Sequence, residues 1–211
     1  MKISKNNGTC LLCKQDVEHR MIVKHINKCL EKHILNDPSE KEKIFLIKVY
    51  MGKYFWLYLE INGSSSLEKL DSFLRYVWVE CCDHMSQFII NGERYSSDRG
   101  MNKVIHRTLP EGTEFNYEYD FGSTTELEGK VISFRKGKLK EDIRLLARNH
   151  LPADILCVRC KKTPDVICSI CNDFYCEGCQ KNHDGCCEGE EFMFPVVNSP
   201  RMGICGYTGQ D

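Results

Sequence analysis

Two runs rich in β-branched and aromatic residues, 44–50 and 54–61, flank Met51-Gly52-Lys53, the pattern of a β-hairpin. Asn62-Gly63-Ser64 breaks it. Ser65 then stands three residues before Glu68, which is capping-box spacing. Leu67, Leu70, Phe73, Leu74, Val77 and Trp78 recur at helical intervals, predicting a helix of about 15 residues. Residues 87–90, 114–119 and 127–134 read as further strands, the last two joined by Asp120-Phe121-Gly122. Nearer the N-terminus, Met21, Ile22, Ile26 and Leu30 predict a helix over 20–34. Asn36-Asp37-Pro38-Ser39-Glu40 reads as a linker, and Leu151-Pro152 leads into a different composition. Three units follow: a finger at 8–36, an α+β body at 41–150 and a tail at 155–211. The linker predicts that the finger folds and unfolds by itself.

The tail differs in its cysteines. The chain holds 14 of them in 211 residues. Residues 1–8 lack the apolar core of a secretory signal, and no run approaches a membrane span. Cysteines paired as C-x-x-C in such a chain point to metal thiolates in a reducing compartment, so a cytoplasmic location and no membrane partner are expected. Ten ligating thiolates and three Zn²⁺ ions would move the formal net charge from −1 to −5. That argues against an electrostatic nucleic-acid binder as a whole. Basic residues nevertheless gather in 1–33 and at Arg135, Lys136, Lys138, Lys140, Arg144 and Arg148.

Cys10 and Cys13 form one knuckle, and His25 and Cys29 fall one helical turn apart. Four such donors close a tetrahedral zinc shell, which is a structural site and resembles a C2HC zinc finger. His19 and His33 read as solvated helix residues, and Lys24, Lys28 and Lys32 as a solvated stripe.

In the tail the donors run Cys157, Cys160, Cys168, Cys171, Cys176, Cys179 and His183, with Cys186 and Cys187 just beyond. A sequential pairing would crowd its second zinc into one short stretch. A cross-brace is easier: Cys157, Cys160, Cys176 and Cys179 on one ion, and Cys168, Cys171, His183 and Cys186 or Cys187 on the other. The spacing resembles the B-box zinc fold, with Cys for His at the eighth place, and is similar to MYND and HIT fingers in its Tyr175-Cys176 step. The resemblance implies an interaction module with a protein partner. Three zincs per chain are expected. Cys205 reads as a free thiol in a turn and Cys81 and Cys82 as helix-end residues, since adjacent cysteines do not easily share one ion.

The hairpin, the helix carrying Trp78, the stretch from Asp83 to Phe88, and Tyr117-Glu118-Tyr119-Asp120-Phe121-Gly122 resemble the Ri-plasmid ORF-three-like family, also found as insertion-element passengers. The resemblance spans about residues 43–135 and implies an α+β fold, a mixed sheet with a packed helix. Ser123-Thr124-Thr125-Glu126 replaces the acidic, Trp and His residues common after that glycine, so no Trp/His site carries over. His84 and Asp120 match family positions and are expected to meet at the edge of a core formed by Trp78, Phe88 and Phe121. As a pair they read as structural rather than catalytic. Asp120-Phe121-Gly122 is not a kinase motif, for the Gly-rich loop and catalytic loop are missing. A zinc-binding adaptor that is not an enzyme is the first expectation. A nucleic-acid-associated protein of mobile elements is the alternative, and an enzyme built on His84 and Asp120 is the third.

Overall fold

The computed structural model describes residues 6–33, 41–181, 183 and 192–209; the 36–40 linker, Cys186 and Cys187 lie outside these. β1 (Asn7–Cys10) and β2 (Asp16–Glu18) lead through a 3₁₀ turn at His19–Met21 into α1 (Ile22–His33). The hairpin follows as β3 (Lys43–Met51) and β4 (Phe55–Asn62). Next come α2 (Leu67–Leu74), a π-helical turn at Arg75–Val79, β5 (Ser86–Ile90) and β6 (Glu93–Ser96). The body closes with α3 (Ile105–Thr108), β7 (Glu114–Tyr119), β8 (Thr125–Lys136) and β9 (Ile143–Asn149). The tail adds β10 (Val166–Cys168), β11 (Phe174–Tyr175), α4 (Glu177–Gln180) and β12 (Met193–Pro195). Among the described residues no helix is long and apolar enough to cross a membrane.

The class is α+β, as expected. One nine-stranded sheet runs β2-β1-β9-β4-β3-β8-β7-β5-β6, with a separate three-stranded sheet β11-β10-β12 in the tail. Every pairing between these strands is antiparallel, so the sheet is not mixed. All eight residues of β4 are buried, because both faces of the sheet are covered. Phe45, Ile47, Val49, Leu57, Leu59 and Ile61 point to one face, under Leu67, Leu70, Leu74 and Trp78. Leu46, Trp56, Tyr58 and Leu146 point to the other, where Ile22, Ile26 and Leu30 of α1 cover them.

The finger packs against the body. Its helix forms the second layer over the sheet, and β1 pairs with β9 from Gly8↔Asn149 to Cys10↔Ala147. Gly8 makes that approach possible: a Cβ there would run into the Arg148 carbonyl and the Trp56 indole. The apolar stripe of Ile22, Ile26 and Leu30, on the helix that carries His25 and Cys29, is the sequence signal for this packing.

Several local expectations shift. The α2 cap is Ser66, whose Oγ accepts from the Lys69 amide at 3.3 Å, while Ser65 donates to Asp142 at 2.9 Å. Trp78 and Phe88 share the core, but Phe121 is 48% exposed. Asp120 adopts φ 64°, which turns the next side chain outward. The sequence pattern predicts no strand at β9, because Arg144 there serves a buried partner in another strand. Glu60, 1% exposed, accepts from Arg135 at 2.6 and 3.1 Å and from Arg144 at 2.5 Å. With Arg148 donating to the Asn198 carbonyl at 2.8 Å, half of the 135–148 basic cluster is spent inside the fold.

The tail leaves the sheet after Asn149 and comes back at Asn198. The two amides clasp each other: Asn198 Nδ2 donates to the Asn149 carbonyl at 2.6 Å, and Asn149 Nδ2 to Asn198 Oδ1 at 2.8 Å. Beyond this point the chain lies on the body again, with Ser199 Oγ donating to the Trp78 carbonyl at 2.6 Å and Arg201 fully buried.

Candidate metal centres

Three C-x-x-C turns are built alike. The first cysteine's amide donates to the carbonyl five residues on: Cys10 to Gln15 at 2.9 Å, Cys157 to Lys162 at 2.8 Å and Cys168 to Asp173 at 2.9 Å. Its carbonyl accepts from the amide four residues on, at Lys14, Lys161 and Asn172, and these three residues have φ of 62°, 61° and 59°. A left-handed residue after the second cysteine reverses the chain, so that both sulfurs face the same point.

In the N-terminal centre, β1 and its turn present Cys10 and Cys13, and α1 presents His25 and Cys29. The four donor atoms lie within 4.8 Å of one another. His25 Nε2 is 3.2 Å from Cys13 Sγ and 3.3 Å from Cys29 Sγ, and Cys10 and Cys29 Sγ are 4.0 Å apart. Zn–S and Zn–N bonds of about 2.3 and 2.0 Å in a tetrahedron would give edges of about 3.5–3.8 Å. Burial, then the neighbouring thiols of Cys13 and Cys10, pushes the Cys29 thiol up to about 12. Thiols so placed resist ionising together, and a divalent cation between them reverses that balance.

The tail donors group as a cross-brace: Cys157, Cys160, Cys176 and Cys179 in one cluster, and Cys168, Cys171 and His183 in the other. Cys160 and Cys176 Sγ are 3.5 Å apart, and Cys171 Sγ is 3.4 Å from His183 Nε2. Tyr175 packs edge-on against His183, with ring centroids 4.7 Å apart. Cys186 and Cys187, the expected eighth ligands, lie outside the described residues. Donor type and spacing in these clusters fit zinc.

His19 is not a solvated helix residue. It stacks on Trp56 with centroids 4.5 Å apart, and burial, then the charge of Lys48, lowers its pKa to about 4. The His33 side chain lies outside the described residues. Lys24, Lys28 and Lys32 are exposed.

His84 and Asp120 do meet, His84 Nε2 lying 3.5 Å from Asp120 Oδ2. The carboxylate is already engaged, however. Arg201 Nη2 donates to Asp120 Oδ2 at 2.6 Å and Nη1 to Thr125 Oγ1 at 3.0 Å, and this guanidinium holds the Asp120 carboxyl down at about 2. The groove beside α2 is lined by Asp71, Arg75, Glu80, Asp83 and His84 but not by Asp120. Sequence reasoning missed Arg201, since nothing in Pro200-Arg201-Met202 marks a buried cation. Cys81, Cys82, His84 and Cys205 also come together, against expectation.

No protein-family model and no curated protein matches the chain. Among solved structures, a protein of unknown function from Methanosarcina mazei Go1 is similar over 50% of this chain and 67% of its own, at 15% identity and a TM-score of 0.42.

Proposed function

We propose that this protein is a zinc-stabilised adaptor whose tail docks a protein partner, and that it is not an enzyme. The supporting observation is the way the tail knuckles are dressed. Val158 and Ile170, each inside a C-x-x-C loop, are 39% and 48% exposed, and neighbouring Leu156 is 40% exposed. Three aliphatic side chains held out on a metal-braced frame suit a hydrophobic partner surface. The N-terminal centre and the tail centre of Cys157, Cys160, Cys176 and Cys179 each offer four donors, which leaves no open coordination position for a substrate and suits structural zinc. A reducing compartment such as the cytoplasm suits the thiolates.

The nucleic-acid alternative has less to stand on, because Arg135, Arg144 and Arg148 are spent on Glu60 and Asn198. The enzyme reading has less still, since Asp120 is paired to Arg201. Proteins cross-linked to the full chain in extracts of its native host should disappear with a Val158→Asp, Ile170→Asp double variant whose zinc content is unchanged. Partners that persist on that variant, or a wild-type chain that captures only nucleic acid, would overturn the reading.

A further inference from the structure

We propose that Cys81, Cys82, His84 and Cys205 form a fourth zinc site, a Cys₃His set that fastens the C-terminal segment to the body. Their donor atoms lie within 4.8 Å of one another, as in the other clusters. Cys82 Sγ is 3.6 Å from Cys81 Sγ, 3.5 Å from Cys205 Sγ and 3.0 Å from His84 Nε2; His84 Nε2 is 3.3 Å from Cys205 Sγ. These separations parallel the 3.2, 3.3 and 4.0 Å of the N-terminal centre. Cys81, Cys82 and Cys205 are free thiols.

The difficulty with adjacent cysteines is removed by the backbone. The π-helical turn ends at Val79, and Glu80 is extended at ψ 118°. Asp83, directly after Cys82, has φ 60°, the same left-handed reversal that follows Cys13, Cys160 and Cys171 in the knuckles. Tyr119 Oη pins the bend by accepting from the Cys81 amide at 3.4 Å and the His84 amide at 3.2 Å. On the other side Cys205 itself holds φ 49° between Gly203 at 78° and Gly206 at 68°. A left-handed residue here turns the chain so that the Cys205 sulfur faces Cys82 and His84.

An outer shell is also present. Buried Arg201 donates from Nε to Cys81 Sγ at 3.3 Å while Nη2 grips Asp120. Three thiolates, an imidazole and Zn²⁺ carry a net charge of −1, which a guanidinium donor suits. Three sulfurs select a thiophilic ion such as Zn²⁺ over Mg²⁺ or Ca²⁺.

Zinc analysis and ¹¹³Cd NMR of the cadmium-exchanged full chain test this. Cys205→Ser, and separately Cys82→Ser, should each lose one ion and one cadmium resonance, leaving the remaining resonances in place. Cys13→Ser should lose a different resonance, so failure of any other centre is read independently. A Cys205→Ser chain that keeps the wild-type metal count and every resonance would overturn the site. So would a Cys82–Cys205 disulfide in the peptide map of the native protein.

Discussion

The finger and the tail use the same knuckle, down to the hydrogen bonds and the left-handed residue, yet the fold treats them differently. The N-terminal knuckle feeds a helix whose Ile22, Ile26 and Leu30 belong to a core shared with Trp56, Tyr58 and Leu146. In the tail, two of the knuckles' own cysteines are buried, with Ile167 and Tyr175 as the main apolar company. One motif is thus reinforced by a hydrophobic layer, while the other has little packed behind its donor clusters. A zinc knuckle fixes local geometry only; what it costs to lose depends on what packs behind it.

The largest expected effect breaks the tail. Under the zinc reading proposed above, Cys160→Ser removes a ligand from a module whose folding free energy would be mostly metal binding, on the order of 10 kcal/mol. Hydrogen exchange over 157–181 should become unprotected while β3, β4 and β8 keep their protection. Retained protection in the tail would mean that its small core suffices. Arg201→Met comes next. It strands the buried Asp120 carboxylate and should destabilise the body by about 3–5 kcal/mol in denaturant titration. A loss below about 1 kcal/mol would show that the returning segment merely rests on the sheet. Ile26→Ala sharpens the comparison from the finger side. With zinc retained, it should lower global stability by about 2–5 kcal/mol and raise exchange in β4, the spread that an independent finger would not show.

The smallest effect is a pH dependence. His19 titrates near 4 in the fold against an ordinary 6.5, because burial first and Lys48 second disfavour its charge. Between these values the unfolded chain binds the proton and the folded chain does not, so stability falls as pH drops from 6.5 towards 4. Allowing for partial exposure, the term is about 1–2 kcal/mol. Acid also weakens zinc binding, so the quantity to measure is the difference between wild type and His19→Gln. Parallel losses for the two chains would remove His19 from the account.

How far residues disclose structure depended on how local the cause was. The β3–β4 hairpin, α2 and the knuckles are written in short-range periodicity and spacing, and they were legible. β9 was not, because Arg144 is explained only by Glu60 in another strand. The integration of the finger was half legible: the apolar stripe on α1 was visible, but the Pro38 linker argued the other way. Arg201 and Cys205 were illegible for the same reason. Their partners, Asp120 and Cys82, lie 81 and 123 residues away, and no pattern within a window connects them.

The reciprocal amide clasp between Asn149 and Asn198 makes the tail a cassette. The chain leaves and re-enters the body at one doorway, so the body already holds the two ends of the loop together. Loop-closure entropy varies only slowly with length, about 0.6 kcal/mol per doubling. A longer, shorter or entirely different module fitted between these two asparagines would therefore burden the sheet little. The tail's surface is free to diverge towards a new partner while Arg201, a few residues past the doorway, keeps its place beneath Tyr119.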